Sequence, residues 1–140
     1  MSDTPVSRTL ELLRSEGYHP EITERWVPRG IKIDLFGLVD VEALHDTHTL
    51  YVQVCRDTDL TDHLVKHLGN PRLERLIACP HRVFEIWSWA KKRNRWREQR
   101  LTAEWTPTGV VFVQHVRSTG APPVSTETPM EVQTSAGAER

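Results

Sequence analysis

The sequence predicts an α/β fold with a mixed β-sheet whose central hairpin is flanked by helices. One observation is that apolar and polar residues alternate across residues 39–55, and this two-residue period is typical of paired β-strands. Another is that apolar residues recur at helical spacing on both sides of this stretch. A third is the order of elements, which is helix, strand, hairpin, two helices and three strands; it favours helices packed on a mixed sheet.

The first predicted elements are a helix and a strand. Thr4 followed by Pro5 is typical of a helix N-cap with proline at the first helical position, and Gly17 is a typical helix end. The apolar stripe of this helix consists of Val6, Leu10 and Leu13. Residues 21–27 then alternate as in a strand, and the Pro-Arg-Gly sequence at 28–30 interrupts the chain before the hairpin.

The hairpin has two faces of different chemistry. A four-residue turn at 45–48 pairs Leu44 with Thr49, and the same register sets Asp40 opposite Gln53. One face is then fully apolar and is predicted to belong to a core; it comprises Val39, Val41, Ala43, Leu50, Val52 and Val54. The opposite face carries Asp40, Glu42, Tyr51, Gln53 and Cys55. On the residue pattern alone, this polar face either contacts water or forms part of a site.

Two helices and three strands are predicted after the hairpin. Thr58 or Asp59 is the expected cap of a helix whose leucines recur every four residues and which ends at Gly69. Asn70 followed by Pro71 repeats the cap-and-proline pattern and opens a short second helix. The three strands follow at residues 82–90, 96–105 and 110–116, with a turn at 91–95.

The composition divides the chain into three segments. Residues 118–140 lack aromatic residues, Leu and Ile, and they are rich in Ser, Thr, Pro, Ala and Gly. Such a segment buries too little apolar surface to offset its ordering entropy. We therefore predict a flexible N-terminus at residues 1–5, one folded domain at residues 6–117 and a disordered tail at residues 118–140.

Charge and cysteine content restrict the functional classes. The 18 Lys and Arg residues nearly balance the 19 Asp and Glu residues, so affinity for nucleic acid must come from local patches. Cys55 and Cys79 lack a CxxC spacing and follow no signal peptide, which favours reduced thiols and a cytoplasmic location. No apolar run is long enough to span a bilayer, and we predict no membrane partner.

The polar face of the hairpin contains ligands for a hard cation. Asp40 beside the amide oxygen of Gln53 is the kind of oxygen-ligand set that Mg²⁺ accepts while it keeps several waters. Asp34 points to the same side only if the strand runs unbroken through Gly37, and glycine in a strand often marks a bulge. These residues therefore make a magnesium site next to the hairpin the alternative to a polar face that contacts water.

The order of elements and several short motifs resemble the PD-(D/E)XK nuclease superfamily, in particular small Holliday junction resolvase-like proteins of phages and bacteria. The matching pieces are the DLFG stretch at 34–37 with Asp40, the QVC segment at 53–55, the helix that carries Lys66, and the strand at 83–89 with a basic hairpin after it. The resemblance covers roughly residues 7–106. It implies a restriction-endonuclease-like core.

The resemblance also implies roles for individual residues. Asp40 matches the metal-binding aspartate, although Val39 precedes it where the signature has proline. Gln53 occupies the place of the second acid and Cys55 the place of the lysine, which members of the superfamily also carry on the neighbouring helix. Lys66 is the candidate for that lysine. The implied catalytic residues are Asp40, Gln53 and Lys66, and the implied metal ligands are Asp40, Gln53, Asp34 and Glu24.

The implied function is Mg²⁺- or Mn²⁺-dependent cleavage of phosphodiester bonds in DNA, including branched, Holliday junction-like DNA, by a homodimer. The alternative is a nuclease-like domain that has lost catalysis and binds nucleic acid or a protein partner, because neither Gln53 nor Cys55 supplies the charge of the residue it replaces. A third alternative is an interaction protein that uses a tryptophan-rich sheet. Taken alone, Lys66 and Glu24 equally fit solvated surface charges.

A basic run near the last predicted hairpins is a candidate nucleic-acid-binding surface. It suits phosphate contacts and consists of Lys91, Lys92, Arg93, Arg95, Arg97 and Arg100. The neighbouring Trp87, Trp89 and Trp96 are able to stack on unpaired bases, but we favour their packing over the sheet. His63 and His67 lie four residues apart on one helix, a spacing that chelates Zn²⁺, but no complete ligand set is evident.

Overall fold

The computed structural model describes residues 3–116 and 126–127, in which helices pack on both faces of a mixed sheet. The helices are α1 (Pro5–Ser15), α2 (Leu60–Leu68) and α3 (Pro71–Ile77), with a short 3-10 turn at Asp57–Asp59 before α2. The strands are β1 (His19–Ile22), β2 (Arg25–Val27), β3 (Ile31–Ile33), β4 (Val41–Leu44), β5 (Thr49–Arg56), β6 (Arg82–Lys92), β7 (Arg95–Thr106), β8 (Gly109–Val116) and β9 (Thr126–Glu127). The predicted α/β class is confirmed.

Seven of the strands form one sheet, in the order β1-β4-β5-β6-β7-β8-β9. Neighbouring strands are antiparallel except β5 and β6, which run parallel because the chain crosses over through α2 and α3 between them. The β4–β5 hairpin therefore lies inside the sheet. Its predicted register is confirmed, since Leu44 pairs with Thr49 and Glu42 with Tyr51. Strands β2 and β3 form a separate two-stranded sheet.

The two faces of the large sheet form two cores. Under α1, Leu13 packs with buried residues of the strands, namely Val41, Ala43, Leu50, Val52, Val54, Trp87 and Trp89. On the opposite face, α2 and α3 contribute Leu64, Leu73, Leu76 and Ile77, which pack with strand residues including Cys55, Phe84, Ile86, Leu101 and Phe112. The sheet is therefore the middle layer of three, and the predicted arrangement of helices flanking a mixed sheet is confirmed.

The faces of the hairpin differ from the prediction in two ways. Val39 packs with Leu38 and Leu64 under α2, and not with Val41 under α1. The reason is that β4 begins only at Val41, and the backbone before it turns so that Val39 pairs with Leu35. The polar face, in turn, is covered only in part by α2 and α3: Asp40, Gln53 and Cys55 are buried, whereas Glu42 and Tyr51 are half-buried.

The predicted strand at residues 21–27 is in fact two strands. Its first part, β1, pairs with β4, whereas its last part, β2, pairs with β3. At the break, the Thr23 N–H donates to the Asp40 carbonyl at 2.9 Å, and the Thr23 hydroxyl donates to the Val39 carbonyl at 2.9 Å. These two bonds place the next residue, Glu24, beside the start of β4.

Helix α1 begins inside the predicted flexible N-terminus. Thr4 caps the helix, since its hydroxyl accepts the Ser7 N–H at 3.1 Å and the Ser7 hydroxyl accepts the Thr4 N–H at 3.0 Å. Asp3 forms an ion pair with Arg8 on the first turns of the helix, with 2.6 Å between the charged atoms. The folded domain therefore includes Asp3, Thr4 and Pro5.

The C-terminal tail predicted at residues 118–140 lies outside the described residues, apart from β9. This two-residue strand pairs with the end of β8, and the disordered tail stays a prediction. Both cysteines, Cys55 and Cys79, are free thiols. In the described ranges, no helix has the length and apolar character needed to cross a membrane.

A buried hydrogen bond between α1 and the sheet gives a stability test. The Trp89 Nε1–H donates to the hydroxyl of Thr9 at 2.9 Å, and Thr9 is fully buried. Thr9→Val should lower the free energy of unfolding by about 1–3 kcal/mol, because it leaves the indole N–H buried without an acceptor. Thr9→Ser keeps the hydroxyl and is the control. Urea denaturation compares the two variants, and equal losses would contradict a role for this bond.

Candidate metal centre

Three carboxylates converge where the chain enters β4. Glu24 lies between β1 and β2, Asp34 follows β3, and Asp40 directly precedes β4. Each offers an oxygen, and these oxygens lie within 4.8 Å of one another. Among residues 3–116, this is the one group of three or more acidic, histidine or cysteine side chains with that geometry. Carboxylate oxygens are the hard ligands that Mg²⁺ and Mn²⁺ accept in proteins.

A tight loop brings Asp34 to Asp40. The Leu35 N–H donates to the Val39 carbonyl at 3.1 Å, and the Val39 N–H donates to the Leu35 carbonyl at 3.0 Å. Within this loop Gly37 has a φ of 69°, which glycine adopts without strain. The strand is therefore not continuous through Gly37, and Asp34 reaches the site through the loop and not through strand alternation.

Asp40 is held by β5, the partner strand of the hairpin. Its N–H donates to the Val52 carbonyl at 2.9 Å, and its Oδ2 accepts the Val54 N–H at 2.9 Å. Gln53 Nε2 donates to the same Oδ2, so the predicted placement of Gln53 opposite Asp40 is confirmed. Both side chains are buried, with exposed fractions of 5% for Asp40 and 3% for Gln53. The contact uses the amide nitrogen, and Gln53 Oε1 has no hydrogen-bond partner among the described residues.

The electrostatics of the cluster favour a bound cation. Burial raises the pKa of Asp40 to about 8, and the Val54 N–H offsets this only in part. The negative charges of Asp34 and Glu24 contribute to this raised pKa of Asp40. Lys32 Nζ lies 2.7 Å from Glu24 Oε2 and neutralises part of the charge. The remaining negative charge is costly in buried surroundings, and a divalent cation bound between the carboxylates would relieve the repulsion.

An open pocket of about 680 Å³ adjoins the cluster. Asp34 lines this pocket, and so does Lys66 of α2. Lys66 lies exposed on a different face of α2 from the buried Leu64. Three further cations line the pocket, namely Arg25, Lys32 and Arg72. Positive side chains beside a carboxylate cluster suit a ligand that carries a phosphate group.

Sequence analysis assigned no role to four residues of the pocket, namely Arg25, Lys32, Phe36 and Arg72. A signal existed for Arg72, because the Asn70-Pro71 helix start places the following residue in the first turn of α3. No comparable signal existed for Lys32, since its ion pair with Glu24 depends on the β2–β3 hairpin, which the prediction lacks.

Cys55 and the two histidines of α2 do not extend the metal centre. Cys55 is buried, and burial raises the pKa of its thiol to about 12, which keeps it neutral. His67 is fully buried with its ring centre 5.6 Å from that of Phe84, and burial lowers its pKa to about 3. His63 lies beside it, with 5.7 Å between the ring centres. Within the described residues no third His, Cys, Asp or Glu joins His63 and His67. A zinc site here would therefore have two protein ligands, fewer than the three or four that zinc sites use.

The predicted basic run divides into two groups. Five of its residues are exposed around the β6–β7 turn, namely Lys91, Lys92, Arg93, Arg95 and Arg97. Lys92 pairs with Arg95, and alternation along β6 places both on the same face as Ile86, which lies in the core under α2. Gln53 lies on this face as well. Part of the basic run therefore shares one face of the sheet with the metal centre.

Arg100, the last residue of the run, has a different position. It is 7% exposed and lies over the Trp87 ring, 3.8 Å from the ring centre. Its Nη2 lies 2.7 Å from Glu16 Oε2 and 2.8 Å from Glu98 Oε2. Arg100 therefore links α1 to the sheet and presents no exposed charge to a phosphate. Trp87 and Trp89 are also buried, so the predicted packing of tryptophans over the sheet is confirmed for these two.

Comparison with known proteins gives no match. No protein-family model, curated protein or solved structure is similar to this chain. The resemblance to the PD-(D/E)XK superfamily therefore remains a prediction from the motif residues. Support for a function comes from the geometry of the three carboxylates, the pocket beside them and the basic turn.

The raised pKa of Asp40 gives a pH test. Between pH of about 4 and about 8, the folded state holds a proton on Asp40 that the unfolded state has released. In EDTA, the free energy of unfolding should therefore fall as pH rises through this window, by up to about 1.4 kcal/mol per pH unit. Asp40→Asn should remove this dependence. Urea denaturation at several pH values measures it, and identical slopes for the two proteins would contradict the assignment.

Proposed function

We propose that this protein is a metal-dependent nuclease that cleaves phosphodiester bonds in DNA, with Mg²⁺ or Mn²⁺ bound by Glu24, Asp34 and Asp40. The observation that carries the proposal is the convergence of these three carboxylates, from three separate segments, beside a pocket lined by cations. Carboxylates crowded in this way are costly without a cation. A phosphodiester is a substrate that uses both a metal and positive side chains.

The order of elements supports the same proposal. Helix α1, strand β1, the β4–β5 hairpin, helix α2 and strand β6 follow one another as the resemblance implies, and Asp40 meets Gln53 across the hairpin. We include a restriction-endonuclease-like core in the proposal. We also extend it to branched, Holliday junction-like DNA cut by a homodimer in the cytoplasm, because the junction-cleaving proteins that the sequence resembles act in pairs.

Each residue of the site has a proposed role. Glu24, Asp34 and Asp40 hold the cation, which when bound activates water and stabilises the charge that develops on the phosphate. The amide of Gln53 and the N–H of Val54 both donate to Asp40 Oδ2 and fix the orientation of the carboxylate. Lys66, exposed in the pocket, pairs with the oxygens of the attacked phosphoryl group.

A second candidate function is a nuclease-like domain that binds nucleic acid or a protein partner without cleavage. Two contacts favour it: Gln53 donates to Asp40 at the place of the expected second acid, and Lys32 forms an ion pair with Glu24 that competes with a cation. Calorimetry with Mn²⁺ distinguishes the two functions. A nuclease takes up the cation in a way that depends on Asp34 and Asp40, whereas the non-catalytic domain does not.

Loss of a metal ligand should abolish cleavage. Asp34→Asn and Asp40→Asn should each lower the rate of Mg²⁺-dependent cleavage by about 100-fold or more, because each removes a charge that binds the cation. Asp46→Asn is the matched control, since Asp46 is exposed in the β4–β5 turn and lies outside the cluster. A gel assay on junction and single-stranded DNA measures the rates. Full activity in either ligand variant would refute the proposed metal centre.

The basic turn should contribute to DNA affinity through salt-dependent contacts. Arg95→Glu should weaken DNA binding and reduce the slope of log affinity against log salt concentration by about 1, the value for one phosphate contact. Arg14→Glu on α1 is the control, because Arg14 is an exposed arginine on the opposite face of the sheet. Fluorescence anisotropy at several salt concentrations measures both. An unchanged slope in Arg95→Glu would exclude this contact.

A further inference from the structure

Phe36 exposes an aromatic ring beside the candidate metal centre. It follows Asp34 by two residues in the loop before β4, and 48% of it is exposed. Its φ of 58° lies in the left-handed region, which a bulky side chain rarely adopts. Core packing does not account for an exposed ring on a strained backbone, and such strain clusters at functional sites.

Hydrogen bonds from two elements fix Phe36 in this conformation. Within the loop, the Gly37 N–H donates to the Asp34 carbonyl at 3.1 Å. From the start of α3, Asn70 Nδ2 donates to the Phe36 carbonyl at 3.3 Å, while Asn70 Oδ1 accepts the Arg72 N–H at 2.9 Å. The loop that carries Asp34 and Phe36 is therefore joined to the first turn of α3. The backbone of Phe36 is therefore held in position relative to both Asp34 and Arg72.

Phe36 and Arg72 stand between two pockets and line both of them. One is the pocket of about 680 Å³ at Asp34. The other has a volume of about 350 Å³, and Tyr51 and Arg75 also line it. Because they share these two lining residues, the pockets adjoin each other, and we call the two together the groove; it extends from Asp34, past Phe36, to Tyr51 and Arg75.

We propose that Phe36 stacks on an unpaired nucleobase next to the phosphate held at the metal centre, while Arg72 binds the adjoining phosphate. The inference rests on the proposed nuclease function and specifies its substrate. The site then takes a DNA strand with an unstacked base at the cleavage point, as in single strands and at branch points, in preference to intact duplex. In a duplex both faces of each base are already stacked, so the ring has no partner.

The charges along the groove identify a nucleic-acid strand as the occupant. Lys66 and Arg72 line the first pocket, and Arg72 and Arg75 line the second. Cations spaced along a groove, with an aromatic ring between them, match a strand in which phosphates and bases repeat. An apolar segment of a protein would bury these cations without a counter-charge, which is costly.

Two substitutions at Phe36 test the proposal. Phe36→Leu removes the ring and keeps an apolar side chain. Phe36→Asn removes the ring with a residue that tolerates the left-handed region, so the variant stays folded. The matched control is Trp105→Leu, because Trp105 is also 48% exposed and lies on β7, outside both pockets.

The probe is a single-stranded DNA oligonucleotide with a 2-aminopurine base, bound with Ca²⁺ in place of Mg²⁺ so that the carboxylates hold a cation while cleavage is suppressed. Wild type should bind the single strand more tightly than a duplex of equal length and quench the base fluorescence. Both Phe36 variants should bind the single strand about tenfold more weakly and leave the base fluorescence unquenched. Trp105→Leu should match wild type in both affinity and quenching. Equal affinity and quenching in wild type and the Phe36 variants overturn the proposal, as does a wild type that binds no strand or prefers duplex.

A separate measurement distinguishes this inference from the proposed nuclease function. Mg²⁺-dependent cleavage by wild type and by both Phe36 variants is measured on the same strand and on duplex. Cleavage with no dependence on Phe36 overturns the stacking role alone. Quenching that depends on Phe36, without cleavage under any divalent cation, supports the strand-binding groove and overturns the nuclease.

Discussion

Strand β5 is the element on which both the fold and the candidate site depend. It pairs antiparallel with β4 and parallel with β6, and its side chains alternate between the two cores. Val52 and Val54 pack under α1, whereas Cys55 packs under α2. The same backbone accepts the Asp40 N–H and donates to the Asp40 carboxylate. A register shift of one residue would exchange the two faces, so core packing also fixes the position of the metal centre.

The sequence predicts those parts of the fold that local patterns determine. The β4–β5 register follows from alternation, and the starts of α1 and α3 follow from a cap and a proline. The break at Thr23 and the packing of Val39 were not predictable in this way. The break depends on hydrogen bonds from Thr23 to Val39 and Asp40, which are distant along the chain, and the packing of Val39 depends on the irregular loop in which Val39 pairs with Leu35.

The roles of charged residues were the hardest to predict from sequence, because each role depends on which oppositely charged side chain the fold brings into contact. Arg95 and Arg100 belong to the same basic run, yet Arg95 is exposed while Arg100 is buried against Glu16 of α1. Lys32 and Glu24 are likewise neutralised by each other across the β2–β3 hairpin. A basic run therefore predicts a phosphate-binding surface only at residues that no acidic side chain from elsewhere in the fold reaches.

Gln53 stands where the resemblance implies a second metal-binding acid, but the carboxylates of the cluster come from other positions in the chain. Glu24 and Asp34 reach Asp40 through two irregular features, the strand break and the tight loop, so three carboxylates meet although Gln53 supplies none. A fourth carboxylate at position 53 would add repulsion to an aspartate whose pKa is already raised. The neutral amide instead donates to Asp40. Gln53 therefore fits a positioning residue, with the cation left to the three carboxylates.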